Sequence, residues 1–77
     1  MRYKGPTSRG NPNVAISTYW GDEEYSDRMA NVMLNETGFY IDMYKDEKLV
    51  ERRPLYEHSE IYAENAAENY VMGILNP

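Results

Sequence analysis

Between Gly38 and Leu75 the hydrophobic period changes from two to 3.6, and this switch restricts the folds open to the chain. Phe39, Ile41 and Met43 alternate with Tyr40, Asp42 and Tyr44, which predicts a strand with two distinct faces. A turn at 45–48 (Lys45, Asp46, Glu47, Lys48) predicts a return strand Leu49 to Arg53, with Val50 opposite Met43. Pro54, which has no N–H to donate, closes the ladder. Ser59 is then the predicted N-cap of a helix, with Glu60 in the first turn where the dipole favours an anion. Ala63, Ala66, Ala67, Tyr70, Val71 and Ile74 form its apolar stripe, and Gly73 and the Asn76-Pro77 end stop it.

Upstream, Val14 to Trp20 is β-branched and aromatic and ends at Gly21-Asp22, so a further strand is expected. Residues 22–34 carry two patterns. Tyr25, Met29, Val32 and Met33 fall at helical spacing behind a potential Asp22 cap. Against that, a four-residue loop Asn35 to Gly38 would set Ala30, Val32 and Leu34 opposite Met43, Ile41 and Phe39, three apolar pairs in register. The strand reading of 29–34 therefore outranks the helix.

The expected fold is α+β, an antiparallel three- to four-stranded β-meander with one C-terminal α-helix packed on one face. Residues 1–13, with two prolines and two glycines, read as a basic arm, and 14–77 as one domain. The helix would cover Ala30, Val32, Leu34, Phe39, Ile41, Met43 and Val50. The opposite face would carry Met29, Met33, Tyr40, Tyr44 and Leu49 beside Asn31, Asp42, Glu51 and Arg53. That face is too apolar to stand bare in water, so Val14 to Trp20 or a second subunit should cover it.

Seventy-seven residues bury only about 60% of their surface on folding, and domains of this size commonly need a staple. The chain has no cysteine and a single histidine, His58, which removes disulfides, thiolate zinc sites and multi-histidine metal cages. Oligomerisation is the remaining means, and a homo-oligomer built on the outer sheet face is expected. No run approaches the ~18 apolar residues of a membrane span, and the N-terminus lacks the apolar core of a signal peptide, so a cytoplasmic protein is expected.

Charge is unevenly spread. Residues 1–20 hold Arg2, Lys4 and Arg9 with no acid, whereas 21–77 hold all 13 acids against five bases. Such a body repels phosphate, and nucleic-acid binding is not expected of it; only Arg2, Lys4 and Arg9 could grip a backbone, which is the alternative functional reading. Glu60, Glu64 and Glu68 form one helical ridge. It reads as a solvated edge, or as a dock for cations, either Arg52 and Arg53 of the same chain or Arg2, Lys4 and Arg9 of the arm; one helix offers too few ligands to hold a metal unaided.

Catalytic signals are weak. His58-Ser59 are adjacent in sequence, which seldom gives proton-abstraction geometry, and no elbow motif surrounds the serine. Asp42 would face Glu51 across the hairpin, but Arg53 and Lys48 lie near enough to neutralise both. Tyr40 and Tyr44 with Arg53 could stack bases, were Asp42 and Glu51 not between them. There is no phosphate loop, zinc spacing or dinucleotide fingerprint, so neither enzyme activity nor a cofactor is expected.

The run His58, Ser59, Glu60, Tyr62, Ala63, Glu64, Ala66, Ala67, Glu68, Asn69, Val71, Gly73 and Ile74, preceded by Gly38 to Asp42 and by Leu49-Val50, resembles small uncharacterised proteins of marine and cyanobacterial tailed phages. The resemblance covers residues 38–75 and implies a viral accessory or structural product acting in a bacterial cytoplasm. The strand-strand-strand-helix order is also similar to double-stranded-RNA-binding and plant AP2 domains. The basic residues those families use are absent here, so that likeness is topological.

Overall fold

The computed structural model describes residues 13–77; Arg2, Lys4 and Arg9 lie outside the described residues. Strands β1 (Val14–Trp20), β2 (Arg28–Leu34), β3 (Phe39–Lys45) and β4 (Lys48–Pro54) form one antiparallel sheet in the order β1-β2-β3-β4. Helix α1 (Glu60–Val71) lies across one face, mainly on β2, with β3 and β1 beside it. The α+β meander is therefore four-stranded, and Val14–Trp20 extends the sheet as an edge strand instead of folding over its outer face.

Residues 28–34 are strand. Leu34 pairs with Phe39, Val32 with Ile41 and Ala30 with Met43, the register that the loop length and the apolar pairs dictate. Asn35 holds that loop by accepting the N–H groups of Thr37 and Gly38 on its side chain, at 2.8 and 3.1 Å. Only Glu23–Tyr25 of the ambiguous segment is helical, as a single 3₁₀ turn.

Two β-bulges depart from strict alternation. In β1 the register shifts between Ala15 and Ser17, so Ile16 packs onto the core while Ser17 and Tyr19 take the helix side and Thr18 and Trp20 the other. In β3-β4 the turn contains two residues, Asp46 and Glu47, both with positive φ (54° and 68°), and the register shifts after Tyr44–Leu49. Met43 consequently faces Glu51, and Asp42 faces Arg52. This corrects two expectations, Val50 opposite Met43 and Asp42 opposite Glu51. Val50 is the extra residue and is exposed, and Glu51 and Arg53 sit on the helix side instead of the outer face. The slip is physically sensible: it matches the buried Asp42 carboxylate with a guanidinium, whereas the unslipped register would set two carboxylates together.

The core comprises Ala30, Val32, Ile41, Met43, Leu55, Ala63, Ala67, Tyr70 and Val71, with Ile16, Tyr19, Phe39, Ala66 and Leu75 against it. Ala63 and Ala67 have no exposed surface, so the helix backbone approaches the sheet closely. Ile74, expected in the stripe, is 65% exposed, because the helix ends before it and Leu75 packs in its place.

Both helix ends are closed. Ser59 accepts the Tyr62 N–H on its hydroxyl at 3.2 Å. At the other end Gly73 adopts φ 82° in a Schellman motif, its N–H on Tyr70 O and the Ile74 N–H on Asn69 O. A Cβ on Gly73 would stand 2.2 Å from the Tyr25 ring, so this position needs glycine for space as well as for φ. Arg28 completes the cap: Nη1 donates to Tyr70 O (2.9 Å) and Leu75 O (3.3 Å), Nη2 donates to Asn76 Oδ1 (3.1 Å), and the guanidinium lies over the rings of Tyr70 and Tyr25.

Candidate functional site

On the outer sheet face the strand register aligns side chains into three rows that cross all four strands. The first is apolar: Trp20 beside Met29, Met29 beside Tyr44, Tyr44 beside Leu49. The second is polar: Thr18, Asn31, Asp42 and Arg52. The third is Ala15, Met33, Tyr40 and Pro54.

These rows differ in exposure. Trp20 is 62% and Leu49 49% exposed, with Met29 and Tyr44 half-buried between them. Tyr40, expected to be an interface residue, is only 1% exposed. Its hydroxyl donates to Asn13 Oδ1 at 2.7 Å, the Tyr56 ring stands edge-on with centroids 6.5 Å apart, and the Arg52 guanidinium lies 5.1 Å from its ring centre. Burial pushes the Tyr40 phenol above its ordinary range, against the opposing pull of Arg52. Tyr40 is thus a packed residue on the outer face. Trp20 is the exposed aromatic residue of this face, and its position next to Met29 depends on the β1 bulge.

The polar row is closely bonded. Thr18 Oγ1 donates to Asn31 Oδ1 at 2.7 Å. Arg52 grips Asp42 with both forks, Nε to Oδ1 at 2.7 Å and Nη2 to Oδ2 at 3.0 Å. Asp42 is 2% exposed, and the carboxylate it offers Arg52 holds that guanidinium charged even more firmly than a free arginine. Glu51 is matched in the same way by Arg53, Nε to Oε2 at 2.9 Å. The hairpin carboxylates are therefore separated onto opposite faces, each with its own arginine, and cannot share a proton.

Elsewhere, Glu64 accepts the hydroxyls of Ser17 (3.0 Å) and Tyr19, which ties the helix to β1. Glu60 is half-buried, and Glu68 is exposed one turn beyond Glu64. The arm expected to dock on Glu60, Glu64 and Glu68 lies outside the described residues. His58 is exposed and stacks on Tyr62, with centroids 3.7 Å apart. Ser59 holds the helix cap, so the adjacent pair forms no nucleophile-and-base arrangement.

Among the described residues no group of three or more His, Cys, Asp or Glu side chains is placed to hold a metal ion, and no buried side-chain polar atom lacks a partner. Among the described residues no helix is long and apolar enough to cross a membrane. Set against protein-family models, curated proteins and solved structures, the chain matches none of them.

Proposed function

We propose that this protein is a non-enzymatic interaction module that associates with its own copies through the outer sheet face, an accessory or structural component of the phage type that acts in a bacterial cytoplasm. The observation that carries this reading is the exposed apolar row Trp20–Met29–Tyr44–Leu49. An indole left 62% in water at a sheet end is an unusual expense for a chain with one tryptophan, and withdrawing it is worth roughly 2–3 kcal/mol. Aromatic and methionine side chains in a contiguous patch are also the composition of interface cores. The sheet edge formed by β4 is an unsuitable alternative contact. Lys48, the bulge at Val50 and Pro54 are the devices by which edge strands resist pairing.

Sedimentation equilibrium tests the reading. The wild type should associate in the range of roughly tens of micromolar, and Trp20→Ser should weaken that association at least tenfold, a loss of at least about 1.4 kcal/mol per association event. A monodisperse wild-type monomer at those concentrations overturns it, as does unaltered association of the variant.

A further inference from the structure

The apolar row does not end flush with the molecule. Where the connection from β1 to β2 meets the β3-β4 turn, joined by the Asp46 N–H on Asp27 O at 2.9 Å, a hollow of about 440 Å³ opens beside Trp20. We propose that this hollow is a binding site for an arginine side chain presented by a partner polypeptide.

Its lining combines two chemistries: Trp20, Met29 and Tyr44, two aromatic residues and a thioether, meet the acids Asp27 and Glu47. A guanidinium is planar, weakly hydrated and charged, so it can stack on indole and phenol while donating to carboxylates. An aliphatic side chain would fill the same walls but strip water from the two acids without replacing their hydrogen bonds. Phosphate is repelled by the two acids, and the compact ammonium of lysine gives up more hydration for a poorer fit to the rings.

The local cations leave this role open. Arg28 contributes to the hollow, but its guanidinium is committed to the helix end through Tyr70 O, Leu75 O and Asn76 Oδ1. Lys45 reaches Asp27 only at 4.0 Å, the limit of an ion pair, so an incoming guanidinium can displace it. Glu47 has no ion-pair partner among the described residues. Arg52 and Arg53 are held by Asp42 and Glu51. The hollow also continues into the Trp20–Leu49 row, so a backbone leading away from the bound side chain has an apolar track to follow, and this selects a polypeptide over free arginine. The inference rests on the outer face being a docking surface, and it stands whether or not the docked chain is a second copy.

Trp20 is the only tryptophan, so its fluorescence reports the hollow directly. The probe is the peptide acetyl-Gly-Arg-Gly-amide, titrated into the full chain beside its citrulline counterpart, which has the same shape without charge. Saturable quenching by the arginine peptide is expected, with Kd on the order of 1 mM, at least tenfold tighter than citrulline. Glu47→Gln, in an exposed turn, should weaken it at least fivefold while far-UV circular dichroism stays native, and Asp27→Asn should do likewise. Absence of saturation, equal binding of citrulline, or an unaltered Kd in both variants overturns the proposal. The peptide titration is run at about 1 μM chain, where the Trp20 face is not covered by a second copy, and sedimentation at tens of micromolar keeps the two readings apart: a chain that stays monomeric there but binds the arginine peptide removes self-association alone, and a chain that associates there but ignores the peptide as a dilute monomer removes the arginine site alone.

Discussion

Replacing Arg28 by methionine keeps the stem and removes the head, and the structure allows the loss to be estimated. The guanidinium makes three hydrogen bonds, two of them to main-chain carbonyls at and beyond the helix end, and lies 4.7 and 5.0 Å from the ring centres of Tyr70 and Tyr25. A hydrogen bond to a charged donor is worth about 1.5–3 kcal/mol, a cation at a helix C-terminus about 0.3–1, and a cation over an aromatic ring about 0.5–1. These contributions share one group and do not add, so Arg28→Met should cost about 2–3 kcal/mol. For a chain of this size that lowers Tm by roughly 10–20 °C, a large part of a marginal stability. Arg28→Lys retains the charge but not the fork, and should recover about 0.5–1 kcal/mol. Urea titrations followed by far-UV circular dichroism measure both. If Arg28→Met unfolds within about 0.5 kcal/mol of wild type, or Arg28→Lys matches wild type, the clamp is not what holds the C-terminal end.

Two further outcomes follow from the polar row and the buried phenols. Arg52→Met should destabilise by about 1–2 kcal/mol, a figure reduced for the exposed side of the guanidinium, because Asp42 is left buried with its charge unmatched; adding Asp42→Asn should restore at least half, which a urea-based double-mutant cycle reads. Tyr40 and Tyr70 both have phenols pushed above the usual value near 10, chiefly by burial. Since the folded state disfavours their ionised form, the stability they secure is complete below that value and is lost as pH rises above it. Alkaline unfolding should be seen by circular dichroism, and Tyr70→Phe, which loses the bond to Tyr44 O (2.9 Å), should cost about 1 kcal/mol at neutral pH and shift the alkaline limb upward.

Sequence reading succeeded where physical constraints were local or mutually reinforcing. Leu34–Phe39, Val32–Ile41 and Ala30–Met43 share one loop length, so three pairs agree on one register, and Ser59 followed by Glu60 is a self-contained cap. The bulges were hidden because each changes the alternation without a signal of its own. Ile16 and Ser17 have opposite polarity but occupy adjoining places on the inner side. Val50 is apolar and still left outside, because a long-range match of Asp42 with Arg52 outweighs burial of one valine. Tyr40 alternates with Ile41 as an outer-face residue should, and pattern alone could not reveal that Asn13, Tyr56 and Arg52 converge on it. Trp20 was legible as an aromatic strand residue but not as the end of a row, since its neighbours come from three other strands.

The Thr18–Asn31 and Asp42–Arg52 pairs, aligned in one stripe, have a consequence for anything laid against this side of the sheet. Adjacent stripes lie two residues apart, about 6.8 Å along the strands. A visitor displaced by that distance would press hydrocarbon onto an occupied ion pair and leave its own hydrophilic groups against Trp20 and Leu49. The sheet therefore accepts a cover in few alignments, and the stripe acts as a ruler whose wrong settings are penalised by dehydration.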